Sequence, residues 1–303
     1  MASDITIYGL RSERFGCERS TVTGALGVFA SVDATCTRFN ASSPLMKANA
    51  HPDRWHRVPP VLFQAVVAAH RAHQQTRGWF DPRVLGDLIR LGYDWSLPFG
   101  DGEVVTAGRA VVRRQLGSWR PRFHGGRHPE MHLGGLPIDL GGIGKGLAVR
   151  WAAEQLDGAI DSYLIDAGGD CVCRGWGPEG DGWRIGIEDP RGGQGPIAVL
   201  ELRDMACATS SIRVRHWRSG ERTVHHLVDP RTGSPGGSGL IAVTVVATDP
   251  ADAEVLSKTL FLHGRDGIAG AAARRNAAAM WVDADGGIGE TRRLSHHVLW
   301  RAA

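Results

Sequence analysis

Cysteine is scarce, no long hydrophobic run occurs, and neither sign of charge dominates. The five cysteines, Cys17, Cys36, Cys171, Cys173 and Cys207, are odd in number and contain no CxxC pair. That excludes a disulfide scaffold and a zinc ribbon, and it favours reduced, buried thiols in a cytoplasmic setting. Residues 1–20 carry Asp4, Arg11, Glu13, Arg14, Glu18 and Arg19 and lack the apolar core of a signal peptide. No stretch approaches the length of a membrane span. With 35 basic against 32 acidic side chains, the net charge of +3 is too mild to suggest nucleic acid, and no basic run with interleaved aromatics alters that. The expectation is a cytoplasmic protein with neither nucleic-acid nor membrane partners. Internal repeats and flexible linkers are missing too, although 303 residues amply suffice for a buried core.

Glycine is abundant, at 41 residues, and concentrates in one informative stretch, Pro137-Ile138-Asp139-Leu140-Gly141-Gly142-Ile143-Gly144-Lys145-Gly146-Leu147-Ala148-Val149. It reads as a short apolar strand ending in an acid, a glycine turn carrying one lysine, and a helix start. Glycines let a backbone approach a ligand closely, and amides at a helix N-terminus favour an anion such as a phosphate. The plainer reading is a tight turn with a surface lysine. A Walker A loop is excluded because Gly146 follows Lys145 where Ser or Thr is required, and the GxGxG spacing is not GxGxxG.

Along the chain, Ile5 to Leu10 suggests a strand. Apolar positions Val22, Leu26, Phe29, Val32 and Cys36 recur at helical spacing. Residues 37–49 read as a polar loop, and Pro59-Pro60 open a second helix that closes at Gly78. Trp79-Phe80-Asp81-Pro82 follows, an aromatic pair that either stacks on a flat ring or sits in the core. Val84 to Leu91 looks helical, and residues 94–136 look irregular. There His124, His128 and His132 stand four apart, but Gly125, Gly126 and Pro129 argue against the helix a metal site would need. Further strands are expected at residues 163–167, 183–188, 197–202, 223–228, 240–247 and 277–282 and near Val298, with helices at 147–156 and 250–263. The mixture points to an α+β fold, mostly antiparallel sheets with inserted helices, rather than a doubly wound parallel sheet.

Five stretches, in order, resemble the FAD:protein FMN transferase family, often called ApbE-like. They are Arg38-Phe39 with Ser43, Leu45 and Asn49; Gly78 to Pro82 with Leu91-Gly92-Tyr93-Asp94; Asp139 to Gly146; Ala167-Gly168-Gly169-Asp170; and Ala208-Thr209-Ser210 with His226-Leu227-Val228-Asp229-Pro230-Arg231-Thr232-Gly233. The resemblance spans about residues 20 to 265. It implies a single T-fold-related domain over 1–303 with two halves around a cleft, FAD as substrate, and a divalent metal, usually Mg²⁺. The implied activity is transferase chemistry, flavinylation: FMN passes from FAD to a Thr or Ser hydroxyl of a partner protein and AMP leaves. By position, Trp79, Phe80, Asp81, Asp139 and Lys145 would contact FAD, as would the backbone of Leu227. The carbonyl of Gly142 and the acidic Glu254 would serve the metal. His226 would be the base or phosphate-positioning residue, with His225 beside it as the other candidate.

The chain departs from the family at the helix after the last long strand, where the pattern has an acid followed four residues later by Thr. Here the positions hold Glu254 and Lys258. A protonated lysine cannot ligate Mg²⁺, and its three donors suit phosphate oxygens or a carboxylate. Either Lys258 supplies in place the charge a metal supplies elsewhere, acting with His226 in catalysis, or the two residues are an ordinary i,i+4 pair. The family's N-terminal Met-Gly-Thr segment has only Phe15-Gly16-Cys17 as a candidate. Asp204 to Thr209 resembles a flavin-acceptor motif one residue short. Alternatives to transfer are an FAD pyrophosphatase giving FMN and AMP, and an FAD-binding protein without catalysis.

Overall fold

The computed structural model describes residues 4–9, 18–95, 117–219 and 222–302. Phe15-Gly16-Cys17 lies outside them, as do residues 96–116 of the stretch read as irregular. The fold is α+β, and the chain divides into two units. Ala30–Gly144 and Val214–Gly236 build one; Ser3–Phe29, Lys145–Arg213 and Gly237–Ala303 build the other.

The second unit is organised on an antiparallel seven-stranded sheet. Its order is Ile5–Gly9, Tyr163–Ala167, Asp170–Arg174, Ala206–Ser211, Leu240–Ala247, Ala278–Asp283 and Ile288–Glu290. Leu240–Ala247 is almost wholly apolar because both of its faces are covered. On one face, Cys171, Cys173, Cys207, Val246 and Met280 pack against Trp183, Ile187, Ile197 and Leu200 of a smaller three-stranded sheet. On the other, the helix Pro250–Leu262 lies on the strands Ala206–Ser211 and Leu240–Ala247. Alternation decides which residue meets which layer: Cys207 faces the small sheet, and Ser210 reaches Ser257 of the helix, Oγ to Oγ at 2.7 Å.

That helix starts where the sequence indicates, with Pro250 in its first turn and Asp249 capping it by accepting the Asp252 N–H. A second helix, Gly144–Leu156, begins three residues before the expected Leu147. Its Gly146 is crowded: an added Cβ would stand 2.6 Å from both the Ala251 Cα and the Pro250 carbonyl oxygen. The first turns of the two helices therefore meet backbone to backbone.

In the first unit, the helix Pro60–Gln75 opens at the expected proline pair. A short apolar cluster joins Leu88, Leu91 and Tyr93 to Trp217, Val224 and Val228, and the Trp217 indole N–H donates to the Leu91 carbonyl at 2.6 Å. Two expectations are corrected here. Residues 44–49, read as loop, form a helix, Pro44–Asn49, because Ser43 caps it by accepting the Met46 N–H and Pro44 occupies its first turn. Conversely, Pro137 to Leu140 form no strand. The Asn49 side chain takes both ladder positions of Ile138, accepting its N–H at 2.9 Å and donating to its carbonyl at 2.8 Å. The irregular stretch also yields two strands, Arg122–His124 and Glu130–His132, which pair with each other, and Glu130–His132 pairs on its other side with Trp55–Arg57. His124 stacks on the Trp55 indole, and His132 Nδ1 accepts the Gly134 N–H.

Because the atoms around Gly146 are backbone, Gly146→Ala is expected to destabilise the chain by about 1–3 kcal/mol through overpacking. A lowered urea midpoint at unchanged slope checks this; an unaltered midpoint would mean the two helix starts separate freely.

Candidate functional site

The groups assigned to chemistry fall into two clusters, one in each unit. In the second unit they gather at the start of the helix Gly144–Leu156. Glu254 is buried and places its carboxylate against that start: Oε2 accepts the Gly146 N–H at 2.8 Å, and Oε1 accepts from Lys258 Nζ at 2.9 Å. A helix N-terminus favours such an anion, and the i,i+4 spacing brings the ammonium to it. Lys145, in the first turn, pairs with buried Asp170 at 2.5 Å. Asp170 opens the strand that follows the second glycine turn. Both lysine side chains keep some exposure, 17% for Lys145 and 19% for Lys258.

This donor set does not fit a divalent cation. Mg²⁺ requires near-octahedral oxygen coordination, whereas both oxygens of Glu254 already hold N–H donors and one of those donors is itself a cation. Among the described residues, no three His, Cys, Asp or Glu side chains stand together as a metal would need. Glu254, assigned to the metal by position, is instead the partner of Lys258 and Gly146. Gly142 sits half-buried in a turn whose Ile143 and Gly144 N–H groups both return to the Leu140 carbonyl.

In the first unit, Asp139 accepts from Arg38 Nε at 2.8 Å and from the Gly141 N–H at 2.7 Å. The Arg38 guanidinium lies over the rings of Phe39 and Tyr93 and donates to the Tyr93 carbonyl. Asp81 is likewise engaged, holding Arg83 in a two-pronged pair at 3.0 and 2.6 Å and accepting the Arg83 N–H. Phe80 is buried, with its N–H on Thr76 Oγ1 and its carbonyl on His73 Nδ1. Trp79 meets a cation: the Arg231 guanidinium stands 3.6 Å over its ring. Asp229 fixes that guanidinium by accepting from Arg231 Nε at 2.9 Å and Nη2 at 2.6 Å. An open recess of about 1130 Å³ is lined by His70, Arg77, Gly78, Asp81, Trp119 and Arg231.

The segment preceding Asp229 holds the histidine pair. His225 Nδ1 accepts the Leu227 N–H at 3.3 Å, which fixes its tautomer with the proton on Nε2. Burial pushes His225 down to about 4, with His216 adding to the effect. His226 is half-buried; its N–H donates to the Arg215 carbonyl at 3.4 Å and its carbonyl accepts the Val228 N–H. Leu227 is buried, and its carbonyl accepts the Gly236 N–H at 2.9 Å. Sequence reasoning assigned no role to Arg38, Asp170 or Arg231, although all three lie in the quoted motifs. The signal available was opposite charge: each completes a pair or stack with a residue that was singled out.

The ApbE family profile matches residues 2–281. A Vibrio cholerae FAD:protein FMN transferase is 32% identical over 265 residues, covering 86% of this chain and 78% of that protein. A Treponema pallidum FAD:protein FMN transferase is 33% identical over 209 residues, covering 63% of this chain and 56% of that protein, so the matched region spans only about half of the latter's length. Among solved structures, the ApbE protein of Thermotoga maritima superposes with a TM-score of 0.80 at 25% identity, covering 96% of this chain and 99% of that one. With a match running over nearly its entire length, this chain belongs to the ApbE family.

Proposed function

We propose that this chain is a flavin transferase that moves the FMN part of FAD onto a Thr or Ser hydroxyl of an acceptor protein and releases AMP. The names of its relatives support the reading. The observation that carries it is the pair of partly exposed ammonium groups, Lys145 and Lys258, each seated on a buried carboxylate at the two elements that meet at Gly146. Fixed cations beside a close-approach backbone suit a diphosphate better than a neutral substrate. In this reading Lys145 and Asp139 serve FAD, as do Trp79, Phe80, Asp81 and the Leu227 backbone. Asp229 and Arg231 add a cation-backed face to Trp79. The buried thiols of Cys36, Cys171, Cys173 and Cys207 favour acceptors in the cytoplasm.

The acceptor oxygen forms a bond to the FMN phosphorus, and the bond from that phosphorus to the bridging oxygen breaks, so the oxygen leaves on AMP. AMP leaves with the electron pair, while the hydroxyl proton passes to a base, His226 by position. Charge builds on phosphoryl oxygens throughout, which is where ammonium groups and backbone N–H donors act. His225 stays uncharged near neutrality, so it contributes no positive charge of its own there.

Mass analysis after incubation with FAD and a candidate acceptor tests the assignment. The expected result is AMP together with acceptor carrying FMN, and His226→Ala should slow AMP release by about 10²–10⁴-fold, the usual contribution of a general base. Free FMN and AMP with unmodified acceptor would establish hydrolysis instead, and unchanged FAD would overturn both enzymatic readings.

The His225 environment gives a separate expectation. Its folded pKa lies below the ordinary 6.5 of the unfolded chain, so its environment costs nothing above pH 6.5 and destabilises progressively as pH falls towards 4. The loss over that window is about 3 kcal/mol. Denaturant unfolding at several pH values should therefore show wild type losing stability relative to His225→Asn, which keeps an acceptor for Leu227 but cannot titrate. Parallel pH profiles for the two proteins would refute it.

A further inference from the structure

We propose that flavin transfer by this chain needs no divalent cation at Glu254, because the Lys258 ammonium occupies that carboxylate and serves as the site's built-in cation. This rests on the FAD reading above and adds to it where the positive charge comes from. Three observations converge. Glu254 is 1% exposed, and each of its oxygens already accepts from a nitrogen donor, so a metal there would either share the carboxylate with the Lys258 ammonium, against the repulsion of like charges, or displace one of the two donors. Displacing the Gly146 N–H would leave a buried helix-start donor unpaired, where an added Cβ at Gly146 already finds no room. Displacing Lys258 would turn an ammonium out of an ion pair whose spacing within one helix brings the two groups together.

The geometry leaves the ammonium available to a ligand. Lys258 uses one donor on Glu254 and has three. Its carboxylate partner is almost fully buried while its own side chain is 19% exposed, so the pair presents its positive end outward. Lys145 repeats the arrangement on Asp170 from the first turn of the neighbouring helix. Phosphate oxygens approaching this surface meet two ammonium groups held in place by carboxylates. An ammonium is a point charge that binds phosphate without fixed coordination geometry, so it can follow the reacting phosphoryl group without releasing ligands.

The test uses the full chain and two independent readouts. The first is manganese binding followed by electron paramagnetic resonance, with and without FAD and against FAD alone. Wild type is expected to leave the free Mn²⁺ signal undiminished beyond what FAD itself takes up, and a saturable site of one Mn²⁺ per chain, displaced by Mg²⁺, overturns the proposal. The second is AMP release after exhaustive EDTA treatment, which should match the rate in Mg²⁺; loss on chelation with recovery on adding Mg²⁺ overturns it equally. Lys258→Met should lower AMP release by about 10²–10³-fold, the scale for removing one transition-state donor, and Lys258→Arg should restore part of it. A Lys258→Met protein as active as wild type refutes the role of the ammonium. If FAD is left intact under every condition, the flavin-transfer reading fails, while the manganese measurement still decides the cation question on its own.

Discussion

The carboxylate of Glu254 does two jobs that ordinarily fall to different groups. It satisfies an orphan N–H in the first turn of one helix and neutralises a lysine on its own helix. The first job requires the helix Gly144–Leu156 to begin against the start of the helix Pro250–Leu262, and that approach is possible only without a side chain at residue 146. Asp249 strengthens the same corner by capping its own helix and pairing with Arg150. A charge buried this deeply is tolerable only when its lone pairs are filled, so the local packing and the position of the Lys258 ammonium are set together.

The carboxylates of the first unit follow a different logic. Asp139 and Asp81 hold the guanidinium groups of Arg38 and Arg83, and the arginine side chains are only 4% and 7% exposed. Arg83 meets Asp81 with two planar donors, whereas Arg38 gives Asp139 its Nε and the Tyr93 carbonyl its Nη1. Removing one partner of a pair like Arg38 and Asp139 typically costs about 3–5 kcal/mol, because the other charge is left buried alone. Loss of activity on changing Asp139 would therefore mix folding with binding, and a binding role for Asp139 has to be read through its effect on Arg38 and the Gly141 N–H.

Much of this was legible in the sequence, and the failures have physical causes. Helices with a proline start and an apolar face, Pro60–Gln75 and Pro250–Leu262, were plain, and so was the β-branched strand Leu240–Ala247. The glycine turn was recognised but its lead-in was misread as a strand, because Asn49, 89 positions away in sequence, supplies the hydrogen bonds a neighbouring strand would have given. The strands Arg122–His124 and Glu130–His132 carry only three residues each, too few for alternation to register, and the central one, Glu130–His132, pairs with the distant Trp55–Arg57. In the candidate site, the sequence motifs mark single residues but not the partners that hold them. The acid that holds Lys145 and the arginine that holds Asp139 come from elements 25 and 101 positions away, and no local pattern encodes a contact of that kind.

Exposure separates the cations that can meet a substrate from those that build the fold. The arginines on Asp139 and Asp81 are enclosed with their partners, so their charge is spent internally. The lysines on Asp170 and Glu254 have enclosed partners but are themselves partly open. A neutral ion pair with a buried negative end still presents a positive end outward, and a diphosphate would add to it without requiring the carboxylate to leave. A metal bound by the same carboxylate would have to compete with a tethered ammonium at 2.9 Å, whose local concentration does not fall when the solution is depleted of cations. In the proposed reading, the site's positive charge folds into place with this helix and is not captured from solution.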